Sequence, residues 1–339
     1  MAGPLMFRRR QMVGFFILAA FASLVIFVMN RPRILIIESE SAGSHRSKEF
    51  KEGWTQTLRE SHLLAKVSWR SLEQDLHPDS LAKTNAALRS VDQENPDLVV
   101  LVDDFANDRV GRVLAQRGGN RLLFVGIDQT PEYYGYTAKT QASGIVEQLR
   151  LEPFHELLEI LYPGVNLKYG VIGIDNPSGQ ARLEQIKSCP WSQHVLLDSS
   201  LVSSFSEWKE FIEKHQDLDV LLILNLDTLA NQAGDPKAIP VRDLVNWTEV
   251  NSHPLPIGVE ANYVANGGGL AFEISPRHFG EMASHRTKEW IDPSHVIPPE
   301  SFRTTEFQVA LCRSRLAVRN LTVPSIYEES ARLSGTLFP

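Results

Sequence analysis

Residues 97–128 read DLVVLVDDFANDRVGRVLAQRGGNRLLFVGID. Two apolar runs, at 97–102 and 122–127, lie on either side of a segment with helical spacing at 107–117. Short apolar runs of this kind are typical of strands that are buried on both faces. The stretch therefore predicts a strand, a helix and a second strand, which is the repeating unit of a parallel sheet.

The same alternation extends to both sides of this stretch. In the N-terminal half it predicts further strands and helices at 33–37, 48–60, 65–69 and 80–91. A second series begins after Gly144, with predicted elements at 151–161, 169–174, 178–187, 194–198, 207–215, 219–224 and 256–259. Two such series in tandem indicate an α/β protein with two parallel-sheet, Rossmann-like lobes.

The N-terminal segment is predicted to be one transmembrane helix that acts as a signal anchor. Residues 12–29 form an apolar run interrupted only by Gly14 and Ser23, which is near the lower length limit for crossing a bilayer. Three arginines at 8–10 precede the run, so residues 1–11 are expected in the cytoplasm. The expected location is the inner membrane, single-pass, with the ectodomain in the periplasm.

Two alternatives remain open for this segment. A signal peptide cleaved after Ala22 is one, although the apolar run continues to Val28. A buried helix is the other. No cysteine follows the run before Cys189, which excludes a lipoprotein anchor.

Charge is distributed unevenly along the chain. The formal net charge is −7, and residues 1–33 contain five arginines and no acid, which leaves −12 for residues 34–339. Binding of phosphate backbones requires a basic face. The acidic remainder therefore excludes nucleic acid as a partner.

Polar residues follow nearly every predicted strand. Ligands of open α/β sheets bind beyond the carboxyl ends of the strands, so these residues are the candidate ligand contacts. They are Ser39, Ser41, Asp103, Asp128, Asp175, Asn176, Asp227, Glu260 and Asn262. Such residues also cap helices, but six polar clusters at one edge of two sheets favour a polar ligand. Because acids outnumber bases in them, we expect an amine or several hydroxyls on the ligand, and neither a phosphate nor a dicarboxylate.

Several segments share their order and spacing with a known family. They are ILII at 34–37, PDLVV at 96–100, FVGI at 124–127, SGI at 143–145, YGVIGIDNPS at 169–178, DVLLIL at 219–224 and GGGLA at 267–271. Over about residues 33–325 the chain resembles the ABC-transporter substrate-binding proteins of the type I periplasmic class. The residues that match the cleft-facing loops of that family are Ser39, Ser41, Asp175, Asn176, Asp227 and Glu260.

The resemblance implies two lobes joined by a multi-strand hinge, with a small molecule bound in the cleft between them. Lobe one is expected to comprise 33–146 plus 272–297, and lobe two 147–271 plus 298–339. Importers of this family commonly take amino acids, including aromatic ones. Amino acid, amine and sugar-like ligands all remain open for this chain.

Motifs for catalysis were sought along the whole sequence. The sequence contains no Gly-x-Ser-x-Gly, phosphate-loop or His-Glu-x-x-His motif, and its ten histidines have no metal-ligand spacing. The chain is therefore predicted not to be an enzyme and to use no cofactor. The leading enzymatic alternative is a hydrolase that uses cleft carboxylates such as Asp103 and Asp104. Three tyrosines at 133, 134 and 136 are expected either to stack on the ligand or to pack the interlobe linker.

The resemblance favours an ABC-type importer, in which an inner-membrane permease is the partner. A protein anchor holds the lobes beside the membrane, which also suits a subunit that reports ligand to a transmembrane kinase or cyclase. Because residues 1–11 are too short to transmit a signal alone, both roles require a membrane partner.

Overall fold

The computed structural model describes Leu18, Phe21 and the ranges 31–73, 81–137, 139–149, 151–191, 193–226, 229–232, 238–291, 301–303 and 307–339. The predicted anchor at 12–29 lies outside the described residues, apart from Leu18 and Phe21. Within the described ranges, we find no helix with the length and apolar composition that a membrane crossing requires.

The regular elements alternate along most of the chain. The strands are β1 (Arg33–Glu38), β2 (Lys66–Ser71), β3 (Leu98–Val102), β4 (Leu122–Ile127), β5 (Ala142–Val146), β6 (Lys168–Ile174), β7 (Val195–Val202), β8 (Val220–Ile223), β9 (Leu229–Ala230), β10 (Ala238–Ile239), β11 (Leu255–Gly258), β12 (Leu270–Ile274), β13 (Ser301–Arg303), β14 (Phe307–Cys312) and β15 (Leu337–Phe338). The helices are α1 (His45–Glu60), α2 (Leu81–Glu94), α3 (Asp103–Ala106), α4 (Arg112–Arg117), α5 (Glu152–Leu161), α6 (Pro177–Ser188), α7 (Phe205–Lys214), α8 (Val241–Asn251), α9 (Ala261–Ala265), α10 (Pro276–Ile291), α11 (Arg313–Val318) and α12 (Ser325–Leu333).

The first sheet contains six strands in the order β13-β5-β4-β3-β1-β2, and all of its pairs are parallel. Successive side chains of β1 enter two different cores. Ile34 and Ile36 pack beneath α1 and α10, whereas Leu35 and Ile37 pack beneath α2 and α4. Helices cover both faces, so the four central residues of the strand must all be apolar, as the sequence pattern indicated.

Helices α1 and α10 touch each other through two glycines. A Cβ at Gly53 would lie 2.1 Å from the carbonyl oxygen of Arg277, and one at Gly280 would lie 2.1 Å from that of Phe50. Real Cβ atoms do not approach other atoms so closely, so both positions require glycine. The two backbones are therefore in direct contact, and a helix from the C-terminal third of the chain is held in the first lobe.

The second sheet contains seven strands in the order β15-β14-β12-β11-β8-β6-β7. All of its pairs are parallel except that of β12 with β14. Apolar cores lie on both of its faces, and fully buried residues such as Tyr169 and Trp208 belong to them. The α/β prediction with two parallel-sheet lobes is thus confirmed.

Along the described strands, the chain changes from one lobe to the other three times. The passages follow β5, β12 and β13, since β5 and β13 belong to the first sheet whereas β12 and β14 belong to the second. Two bounds differ from the predicted ones. The predicted passage at 272 falls inside β12 of the second sheet, and β13, which was assigned to lobe two, pairs with β5 of the first sheet. β13 is only three residues long, and β12 pairs antiparallel with β14, so neither strand fits the regular βαβ pattern from which the bounds were predicted.

Candidate functional site

A cavity of about 520 Å³ lies between the carboxyl ends of the two sheets. We call it the cleft cavity, and it is lined by Ser39, Glu40, Arg46, Asp103, Asp104, Phe105, Gly126, Asp128, Asn176, Ser178, Arg182, Asn225, Leu226, Pro240, Val241, Arg242, Glu260, Asn262 and Asn266. Both lobes contribute side chains to it. Its volume is in the range of small-molecule sites.

The structure brings most of the predicted contact residues to this cavity. Those that line it are Ser39, Asp103, Asp128, Asn176, Glu260 and Asn262. Ser41 and Asp175 do not line it: Ser41 is half-buried in the loop after β1, and the exposed Asp175 carboxylate accepts a hydrogen bond from Gln180 at 2.8 Å. Asp227 lies outside the described residues.

Some of the polar lining residues hold the local backbone. The Ser39 hydroxyl donates to the carbonyl of Val102 at 2.8 Å and accepts from the amide of Ala106 at 3.0 Å. Asn176 caps α6 by accepting from the amide of Gly179 at 2.8 Å. Capping and loop bonding therefore account for part of the polar pattern after the strands.

Arg46 in the first turn of α1 was not predicted as a site residue. Its Nη2 donates to Asp103 Oδ1 and to Glu147 Oε2, both at 3.0 Å. Asp103 has a φ of +66°, which non-glycine residues seldom adopt. Such a conformation persists where the surroundings determine it, and here the ion pair with Arg46 does so.

Arg182 on α6 is the second cation that sequence reasoning missed. Its side chain is 4% exposed and contacts three carboxylates: Asp128 at 3.0 Å, Glu147 at 3.6 Å and Glu260 at 2.6 Å. It also donates to the carbonyl of Leu224 at 2.8 Å. We call Arg182 and these three acids the Arg182 cluster.

The Arg182 cluster joins the two lobes. Asp128 follows β4 in lobe one, Glu147 lies on the passage after β5, and Arg182 and Glu260 belong to lobe two. The hydroxyl of Ser178, also on α6, donates to Asp128, and Gln129 donates to the carbonyl of Pro177 at 2.8 Å. The lobes are thus held together at the cleft by ion pairs and hydrogen bonds.

Burial shifts the protonation of the cleft carboxyls. It raises the pKa of Glu38, Glu40 and Glu147 to about 7 each. It also raises the pKa of Asp103, and the pKa of Asp104 lies well above its usual range because burial and the neighbouring Asp128 charge both oppose ionisation. Desolvation disfavours the charged form of an acid, so these groups retain protons that exposed carboxyls lose.

Asp104 is held inside lobe one. It accepts hydrogen bonds from the hydroxyl of Tyr134 and from the amide of Asp128 at 3.1 Å. The paired acids Asp103 and Asp104 therefore have separate partners, a guanidinium for one and a phenol for the other. This arrangement fixes both carboxyl groups in place.

None of the three tyrosines at 133, 134 and 136 lines the cleft cavity, and Tyr136 borders a second cavity beside the passage after β5. Tyr134 and Tyr136 are buried in the core of lobe one, and Tyr136 stacks on Phe124 with ring centroids 5.3 Å apart. Tyr133 is half-exposed beneath the guanidinium of Arg112. Of the described residues that line the cleft cavity, only Phe105 is aromatic.

The sequence does contain a signal for both missed arginines. Arg46 directly follows the polar loop 38–45, and Arg182 lies four residues after Ser178, on the same face of α6. Extending each polar cluster by one helical turn would have included both. The cleft cavity therefore contains basic side chains that the six polar clusters lack, although acids still outnumber bases among its described lining residues.

No family model matches this chain, and no curated protein matches it. Its fold is nevertheless shared with several solved structures. An ABC domain in complex with L-Trp from Streptococcus pneumonia superposes with a TM-score of 0.63 at 14% identity, covering 88% of this chain and 98% of that chain. A ligand-free, open substrate-binding protein with adhesive properties from Clostridium difficile gives 0.62 at 13% identity, covering 87% and 96%.

A third structure is an ABC transporter solute-binding protein with bound L-rhamnose from Clostridium phytofermentas. Its TM-score is 0.53 at 10% identity, and the match covers 90% of this chain and 99% of that chain. Identities this low show a common fold only. The fold of this chain is that of the ABC-transporter solute-binding proteins, which confirms the resemblance seen in its sequence.

Proposed function

We propose that this chain is a solute-binding protein that closes its two lobes around a small polar ligand with amine or hydroxyl groups. The observation that carries this proposal is the cleft cavity, which both lobes line and in which carboxyl groups outnumber guanidinium groups. A cleft that closes between two lobes is a recurrent device for capturing ligands.

The ion pairs in the cleft support this ligand class. Arg46 and Arg182 already donate to carboxylates of the protein itself. An anionic ligand would have to displace one of those carboxylates, which would leave a buried charge unpaired at high cost. A ligand that donates hydrogen bonds avoids this cost, because the cleft carboxyls are acceptors.

Binding is tested by calorimetry and thermal shift on the purified chain, with amines, amino acids, neutral sugars and organic anions as candidates. We expect an amine or a polyhydroxyl compound to bind, and Glu260→Gln to weaken that binding at least about tenfold. Asp175→Asn is the matched control, since Asp175 also follows a strand but lies outside the cleft cavity. Binding by organic anions alone would contradict the proposal.

We further propose that the ligand is released unchanged to an inner-membrane permease, with the N-terminal segment as the anchor. The fold supports an importer, whereas a predicted anchor also suits a sensory subunit. Uptake of the identified ligand should be lost when the gene is deleted. Unchanged uptake together with a lost transcriptional response would favour the sensor. A mature chain that begins after Ala22 would remove the anchor.

Conversion of the ligand is the remaining alternative. We expect the ligand to be recovered unaltered after prolonged incubation with the protein. Turnover that is abolished by Asp103→Asn would instead support a hydrolase that uses the cleft carboxylates.

A further inference from the structure

The cleft carries more negative charge than its arginines can balance. Among the described residues that line the cleft cavity, five carry carboxyl groups and three carry guanidinium groups, namely Glu40, Asp103, Asp104, Asp128 and Glu260 against Arg46, Arg182 and Arg242. Glu38 lies beside Glu40 and Arg46 in an adjoining small cavity, and Glu147 contacts both Arg46 and Arg182. With every group ionised, seven carboxylates face three guanidiniums, a formal charge of −4.

The arginines compensate only part of this charge. Arg242 is exposed, so solvent screens its charge. Arg46 and Arg182 are shared among Asp103, Asp128, Glu147 and Glu260.

Glu40 is one of the lining carboxyls that the ion pairs of Arg46 and Arg182 leave out. It accepts a hydrogen bond from the side chain of Ser44, and the charged groups facing it are Asp103, Arg46 and Glu260. Around Glu40, the single cation Arg46 is therefore outnumbered by two further acids, Asp103 and Glu260. Burying unpaired negative charge is costly, so a proton must occupy this position when no other cation is present.

The protonation of the ligand-free cleft agrees with this excess of negative charge. Burial raises the pKa of Glu38, Glu40 and Glu147 to about 7, so these carboxyls are largely protonated in weakly acidic solution. Protons supply the missing positive charge, and a cationic ligand is able to supply it instead.

We propose that the ligand is a small organic dication, such as a diamine, and that it enters the cleft in exchange for protons held by Glu40 and its neighbours. This inference rests on the proposed function and narrows its ligand class. The two ammonium groups keep their own protons, while protons from the cleft carboxylic acids pass to solvent. Charge is conserved, since each proton released is replaced by one positive charge of the ligand.

The exchange is measured by calorimetry of the purified full-length chain at about pH 6.5, in two buffers with different ionisation enthalpies. The probes are 1,4-diaminobutane, butylamine and 1,4-butanediol, which have similar lengths and carry two, one and no positive charges. We expect the diamine to bind at least about tenfold more tightly than the monoamine and to release more protons, up to about two per ligand. Glu40→Gln should reduce the proton release, whereas Asp175→Asn should not.

Three outcomes would overturn this inference. They are equal binding of the diol and the diamine, a binding enthalpy of the diamine that does not depend on the buffer, and no binding by any short α,ω-diamine. If a neutral or zwitterionic ligand binds while every diamine fails, the dication is wrong and the proposed function stands. If no candidate of any charge binds, the proposed function fails as well.

A second readout needs no ligand. An acid whose pKa is raised on folding stabilises the folded state below its unfolded pKa, and this contribution is lost as the pH rises through the folded pKa. The unfolding temperature of the ligand-free chain should therefore fall between about pH 4.5 and pH 7. Glu40→Gln should make this fall shallower, because glutamine stays neutral. If the variant and the parent had the same unfolding temperature at every pH, Glu40 would not hold a proton in the ligand-free chain, which would contradict the proposal.

Discussion

Two contact regions of this protein are built on opposite principles. The contact between α1 and α10 has an apolar centre in which the backbones touch at Gly53 and Gly280, and Arg277 adds only an ion pair and a hydrogen bond at its exposed edge. The Arg182 cluster, in contrast, joins the lobes through buried ion pairs. The first contact holds a late segment of the chain in lobe one, and the second holds lobe one against lobe two.

From this difference we expect the first interface to be permanent and the second to be able to open. Apolar contacts at van der Waals distance lose their attraction as soon as a gap forms and gain nothing from water. Charged groups are hydrated again when they separate, so water offsets part of the lost ion-pair energy. An interface of the second kind opens without unfolding either side.

The largest expected effect concerns the apolar contact. Gly280→Val places a branched side chain against the backbone of Phe50, and we expect it to lower the free energy of unfolding by about 3 kcal/mol. Chemical denaturation measures this change. Gly43→Val is the control, because nothing lies within 4 Å of a Cβ at Gly43, and its effect should stay within about 0.5 kcal/mol. Equal effects of the two variants would show that α1 and α10 are not closely packed.

The next effect concerns the charged contact. Arg182→Met removes the guanidinium from its three carboxylates, and we expect it to disfavour closure by about 2 kcal/mol while leaving each lobe folded. Small-angle X-ray scattering should record a larger radius of gyration. Lys187→Met on the same helix is the control, because Lys187 is partly exposed and its ion pair with Glu184 is long, at 3.9 Å. An unchanged radius of gyration would mean that other contacts hold the lobes closed.

The smallest expected effect concerns the hydrogen bond between Tyr134 and Asp104 within lobe one. Tyr134→Phe removes the hydroxyl that donates to Asp104, and we expect a loss of about 1 kcal/mol in the free energy of unfolding. Because both residues belong to lobe one, the radius of gyration should not change. Tyr133→Phe is the control, as Tyr133 is half-exposed. An opening of the lobes in Tyr134→Phe would show that this contact also controls closure.

Much of the fold was predictable because strands buried on both faces are apolar at every position. The strands β3 and β4 show this in full, since all of their residues are buried. The passages between the lobes were less predictable. A strand as short as β13 pairs with β5 from far along the chain, and no local pattern records that pairing.

The position of the candidate site was predictable from the sequence, but only part of its charged residues were predicted. The rule that ligands bind beyond strand ends located Asp103, Asp128 and Glu260, because strand ends are visible in the sequence. Arg46 and Arg182 come from helices, and helical residues reach the cleft only through tertiary packing. Their places one helical turn beyond the polar loops were visible in the sequence, but their ion pairs join residues far apart in the chain and leave no pattern in a single segment.

The position of Glu147 has a kinetic consequence. This carboxylate lies on the passage after β5 and contacts Arg46 on one side and Arg182 on the other. Separating the lobes breaks ion pairs but none of the hydrogen bonds within either sheet. The dwell time of a bound ligand then depends on how long Arg182 keeps its carboxylate partners as well as on the ligand's own contacts, because both must break before the lobes separate. Arg182→Met removes the same ion pairs whichever ligand is bound, so it should shorten the dwell time of different ligands by a similar factor.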